Sequence, residues 1–221
     1  MVGYPQHVFM KVLNLYAGIG GNRKLWKDVE VTAVEIDPKI AEIYQDFFPN
    51  DNVIIDDAHK YLLKNYEEYD FIWSSPPCPT HSRMRNILNR YERYKKVYPD
   101  MTLYEEILFL KHFFKGKYCV ENVISYYDPL IKPQISNNHY FWCNFVIGNI
   151  PKDQRMIEKD DIETIKKQEI RNRFNLSNLN LSNKFRNKIL NNCVKPEVGL
   201  HILEMAFNKP QLKLTDISIG N

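Results

Sequence analysis

Apolar runs of four to eight residues alternate with amphipathic stretches through the first half of the chain. Val8–Leu15 reads as a buried strand closed by a glycine turn at Gly18–Gly21, and Val29–Glu35 as a second strand. Pro38–Phe48 reads as a helix with proline in its first turn. Asn52–Ile55 is a third strand and Ala58–Tyr66 an amphipathic helix. Tyr69–Ser74 is a fourth strand that runs into Pro76-Pro77-Cys78. Thr102-x-x-Glu105 has the form of a capping box opening a helix to about Phe114. Lys117–Val120 and His139–Ile147 complete the strands. This alternation predicts an α/β chain with a mostly parallel sheet, helices on both faces and right-handed crossovers.

Two segments break the rhythm. Ser82–Asp100 is rich in Arg, Lys and Tyr without a clean period and reads as a mobile loop. Pro151–Asn183 is polar, Asn-rich and weakly patterned, and apolar periodicity resumes at Phe185–Phe207. We therefore divide the chain into residues 1–150, a short segment 151–183, and 184–221 returning as a C-terminal helix to the first part.

Composition narrows the class only slightly. The 221 residues suit one moderate domain, with 44% hydrophobic and 26% charged residues, and the net charge is +3. A polyanionic partner is permitted but not demanded, so local charge placement matters more. Neither a signal-peptide core nor a membrane-length apolar run is present. The four cysteines (Cys78, Cys119, Cys143 and Cys193) form no Cys-x-x-Cys pair, so no metal site is expected. A reducing, cytoplasmic setting is the expectation.

Candidate chemistry collects at strand ends, where open parallel sheets bind ligands. The first end carries Tyr16-Ala17-Gly18-Ile19-Gly20-Gly21 and the second ends at Glu35, an acid placed as a ribose acceptor would be. Together they suggest a nucleoside cofactor; an ordinary glycine turn beside a surface glutamate is the competing reading. The spacing is not that of a dinucleotide fingerprint. Prolines on both sides of Cys78 fix the backbone around a displayed thiol, although a single cysteine is more often a small buried hydrophobe. Glu121-Asn122-Val123 follows the fifth apolar run, where a carboxylate would be partly desolvated or simply open a loop.

In order and spacing these residues resemble the cytosine-C5 DNA methyltransferase family. Leu15–Gly21 is similar to its first motif and Val34-Glu35-Ile36-Asp37 to its second. Asp57 corresponds to the adenine contact, Pro77-Cys78 with Ser82 to the nucleophile motif, and Glu121-Asn122-Val123 to the base-binding motif. Asn191-Asn192-Cys193-Val194 resembles the last motif, which completes the cofactor pocket. The match runs over most of Val12–Val123 and resumes near Asn187–Phe207. There are departures: Asn14 stands in place of Asp, and Pro79 in place of Gln. Asn137-Asn138-His139-Tyr140 occupies the region of a usual arginine pair, and the segment where the family reads its target is short.

The resemblance implies a Rossmann-like fold and S-adenosyl-L-methionine (SAM) held by Tyr16, Ala17, Gly18, Gly20, Gly21, Glu35, Ile36, Asp57, Pro77, Asn192 and Val194. It implies methylation of cytosine C5 in double-stranded DNA, with Cys78 attacking C6 of a flipped base and Glu121 serving N3. Attack requires a thiolate, so a thiol made acidic by Arg83 or Arg85 is expected. Ser82, Arg83, Arg85, Arg90, Arg93, His139, Arg171 and Arg173 are the expected nucleic-acid contacts. Against this, a basic run is as often a solvated helix face, and Pro151–Asn183 could equally be disordered or a linker. The resemblance further implies a nucleoid-associated monomer, and a restriction endonuclease or a recognition partner fits such an enzyme. Two other readings stay open: a tRNA cytosine-C5 methyltransferase, and a catalytically silent SAM- or DNA-binding subunit.

Overall fold

The computed structural model describes residues 9–91, 94–150 and 162–207. Seven strands form one sheet in the order β3-β2-β1-β4-β5-β7-β6. They are β1 (Met10–Leu15), β2 (Val29–Glu35), β3 (Asn52–Ile55), β4 (Phe71–Ser74), β5 (Lys117–Val123), β6 (Gln134–Ser136) and β7 (His139–Cys143). The first five are parallel, β7 pairs antiparallel with β5, and β6 antiparallel with β7. The α/β, mostly parallel expectation is met. The residues before Phe9, including the expected strand start at Val8, lie outside the described residues.

Alternation along the central strands divides the core into two faces. Leu13, Leu15, Val34, Ile72 and Val120 point to one side, covered by α2 (Ala58–Asn65) and α4 (Thr102–Phe113). Val12, Val31, Phe71, Trp73 and Cys119 point to the other, covered by α7 (Pro196–Phe207). Further along that second face, Ala33 meets α1 (Pro38–Phe47), α5 (Ile162–Asn172) and α6 (Asn183–Asn191).

Several boundaries follow from local chemistry. Asp37 caps α1 by accepting from the Lys39 and Ile40 amides, with Pro38 as first helical residue. Asp57 caps α2 through the Lys60 amide at 3.1 Å. The capping box expected at Thr102 is not formed: the helix begins after Met101, and the Asp100 carboxylate accepts from the Thr102 amide at 3.1 Å. Glu105 instead approaches His59 at 3.7 Å.

Three further expectations are corrected. The stretch read as a mobile loop contains α3 (Arg83–Asn89), capped by Ser82 and burying no side chain. Strand β5 does not stop at Val120 but runs on to Val123, because β7 pairs with Glu121, Asn122 and Val123. The strand expected over His139–Ile147 ends at Cys143, and β6, three residues long, was too short to show a pattern. Apart from these three, residues 162–183 contribute to the core: Ile165, Phe174 and Leu176 join Ile40, Ile43, Tyr44 and Phe48.

Candidate active site

The carboxyl ends of β1, β2, β4 and β5 open on one edge of the sheet. After β1 the backbone turns sharply, with Tyr16, Gly18 and Gly20 at φ of +56°, +55° and +81°. The turn is tied to β2 by Ala17 N–H donating to the Val34 carbonyl at 3.0 Å. Glu35 closes it: its carboxylate accepts from the Gly18 amide at 2.9 Å and the Asp37 amide at 3.0 Å. The acid is therefore pinned at the strand end by two backbone donors, with lone pairs left over for a ligand hydroxyl.

Each glycine has its own role. A Cβ on Gly18 would meet nothing within 4 Å, so the turn leaves open space there. One on Gly20 would strike the Phe48 and Tyr44 rings, so Gly20 serves packing on α1 and lines neither recess described next. One on Gly21 would strike the Val194 carbonyl, which brings the chain after α6 against the turn.

Two recesses meet at Tyr16. The larger, about 290 Å³, is lined by Tyr16, Glu35, Ile36, Asp57, His59, Pro77, Asp100 and Thr102 among others. The smaller, about 20 Å³, is bounded by Tyr16, Ala17, Gly18, Gly21, Asn192 and Val194. Ile36 is 67% exposed, an apolar side chain left at the mouth. These residues suit SAM: an acid and open backbone for a ribose, an exposed apolar surface for an adenine, and a continuation past the glycine turn.

Asn14, where the family has Asp, is fully buried, and its amide oxygen accepts from Asn22 Nδ2 at 2.7 Å. An uncharged amide pair avoids stranding a carboxylate in the core.

Beyond β4, Pro76 is buried and Cys78 half-buried. The Cys78 carbonyl accepts from the His81 and Ser82 amides at 3.0 and 3.1 Å, closing a tight turn around the thiol. Asn122 Nδ2 donates to the Pro76 carbonyl at 2.9 Å, which fastens the end of β5 to this turn. Glu121 is buried beside it, and His139 Nε2 stands 3.7 Å from Glu121 Oε1. Burial, and then the Glu121 charge, push the Cys78 thiol pKa up. This corrects the expectation of a thiol made acidic by Arg83 or Arg85: among the described residues no cation offsets the desolvation.

The expected nucleic-acid contacts divide. Arg83 on α3 and Arg90 at its C-terminal cap are exposed and Arg85 is half-buried, all beyond the Cys78 turn. Arg173 is paired with Glu197 at 2.7 Å, so its guanidinium is already engaged. Arg171 lies in the last turn of α5, and Arg93 is outside the described residues.

Sequence reasoning missed a buried cluster between the two recesses. Glu106, with no exposed surface, accepts from Tyr16 Oη at 2.6 Å and Ser74 Oγ at 2.6 Å, and lies 3.2 Å from His59 Nδ1. It also missed His81, buried and 2.6 Å from Tyr127 Oη. A charged residue at an apolar helix position, as Glu106 is among Leu103, Ile107 and Leu110, was the available signal.

The described residues contain no helix long and apolar enough to cross a membrane. Comparison with known structures finds an Entamoeba histolytica methyltransferase at 13% identity, covering 90% of this chain and 98% of that one with a TM-score of 0.55. A Spodoptera frugiperda DNMT2 mutant is 27% identical over 52% of this chain and 35% of its own length, with a TM-score of 0.36. No curated protein matches in sequence. The model of the C-5 cytosine-specific DNA methylase family matches residues 10–123, which include the glycine turn, Glu35, Cys78 and Glu121. The chain belongs to that family, whose members are methyltransferases using SAM.

Proposed function

We propose that the protein methylates C5 of cytosine in double-stranded DNA through a covalent adduct with Cys78. The observation that carries this is the fastening of the Cys78 turn to the end of β5, where Asn122 holds the Pro76 carbonyl and Glu121 faces the thiol. That arrangement sets a nucleophile and a proton-bearing group on one side of the recess that opens at the glycine turn.

Cytosine C5 is a weak nucleophile. The Cys78 thiol proton passes to the Glu121 carboxylate and the sulfur bonds to C6, which breaks the ring's aromaticity and moves an electron pair towards C5. The proton so acquired by Glu121 is donated to N3 and stabilises the charge that develops there, with His139 beside the carboxyl. When bound, SAM supplies an electrophilic methyl group. Once C5 is methylated, its proton leaves to solvent water, the Cys78 thiolate is expelled and N3 returns its proton, which restores the ring. Glu35, Asp57, Ile36 and Pro77 are the residues assigned to the adenosyl end, and Asn192 and Val194 to the methionine end. Gly20 supports that site from behind.

A base inside a duplex cannot reach the turn, so it must be flipped out. Arg83, Arg85 and Arg90 on α3, next to Ser82, are placed to hold phosphates while it is.

Bisulfite sequencing of DNA from cells expressing the protein, with Cys78→Ala as control, tests activity and reads the target together. The expected result is conversion-resistant cytosines in a defined context that vanish in the variant. Transfer of labelled methyl groups to tRNA but not to duplex DNA would move the substrate to RNA. Failure to trap an adduct on DNA containing 5-fluorocytosine would overturn the covalent step.

A further inference from the structure

The residue that joins the recesses to the nucleophile turn is Glu106. Its side chain is wholly enclosed, yet its two oxygens meet groups from three other elements. Oε1 accepts from Tyr16 Oη at the end of β1 and faces His59 Nδ1 in the first turn of α2. Oε2 accepts from Ser74 Oγ, the last residue of β4 and four residues before Cys78. A carboxylate is costly to enclose without a counter-charge, and the one cation-capable side chain among its hydrogen-bond partners is His59.

Tyr16 needs such a hold. It is a bulky residue in left-handed backbone, and it lines both recesses.

We propose that Glu106 is a positioning residue, that the His59 imidazolium sustains its charge, and that the pair fixes the Tyr16 ring as the partition against which SAM binds. This rests on the cofactor assignment and is independent of the covalent role of Cys78. The charges that act on His59 are Glu106 and Glu105 from α4 and Asp57 at the cap of α2, while Tyr16, Lys60 and Asp100 line the same recess. The carboxylates outnumber Lys60, and the hydrogen bond to Glu106 is the foremost reason that the His59 pKa is raised.

The sign follows. His59 is charged below its ordinary range and loses its proton only as the pH climbs through the raised value. The partition is therefore held at neutral and mildly acidic pH and loosens above it.

The test is SAM binding by titration calorimetry between pH 6 and 9, with no nucleic acid present, so that a failure of the Cys78 chemistry cannot affect it. Wild-type affinity should fall by about tenfold across that range, the size of one lost hydrogen bond to a charged group. His59→Asn should bind weakly and without the step, and Tyr16→Phe should lose about the same factor at pH 6.5. Titration of the cofactor's own amino group is common to all the proteins and cancels in the comparison. Glu106→Gln should also abolish the step, and its melting temperature is read first. If it fails to fold, His59→Asn and Tyr16→Phe decide. A flat wild-type profile, or a His59→Asn protein that keeps the wild-type affinity and pH dependence, overturns the proposal. A wild type that binds no SAM at all overturns the cofactor assignment and this inference with it.

Discussion

A thiol is nucleophilic only as its thiolate, and Cys78 is held in the neutral form by burial and by the Glu121 charge. Alkylation of Cys78 by iodoacetamide should accelerate with pH through a midpoint above the usual free-thiol value of about 8.5. Glu121→Gln, which removes the neighbouring negative charge, should bring the midpoint down. Peptide mapping with Cys78→Ala as background checks both, and a midpoint below the usual value would contradict the electrostatics. Asn14 gives the same lesson in reverse: a departure from the family pattern becomes intelligible once its partner, Asn22, is seen across the turn.

At the scale of elements, β2 and β3 occupy the expected residues and α1 and α2 end one residue sooner. Their signals are local: apolar runs, Asp caps, a proline at the first helical position. What local pattern could not show was the extension of β5, which exists because β7 returns beside it. Helix α7 shows how such contacts override propensity. Gly199 sits inside it, and replacing a helical glycine with alanine ordinarily stabilises by up to about 1 kcal/mol. Here a Cβ would enter the backbone of Asn22, next to the glycine turn. Overpacking against backbone costs about 1–3 kcal/mol and should win. Gly199→Ala is expected to lower the denaturation midpoint; an unchanged or raised midpoint would mean that α7 can shift freely.

For the whole molecule, the described residues pack around a single sheet. Segment 162–183 is polar in sequence, yet Ile165, Phe174 and Leu176 close the core over α1. Phe174 lies 4.7 Å from Phe47, ring to ring, with the Lys24 ammonium 4.5 Å above it. Phe174→Ala should cost about 3–5 kcal/mol, in one cooperative transition that also carries the fluorescence of Trp73 under α7. A partial transition leaving the Trp73 signal unmoved would instead mark a separate lobe.

The α/β sheet and the order of glycine turn, acid, Pro-Cys and Glu along it were legible in the sequence, because each of these signals is contained within a few consecutive residues. Only the tertiary structure decided which groups share a charge environment. The raised Cys78 thiol, the Asn122 tie to Pro76, the engagement of Arg173 by Glu197 and the enclosure of Glu106 each join residues 24 to 90 positions apart. Burial and electrostatics depend on distance in space, and no spacing along the chain encodes them.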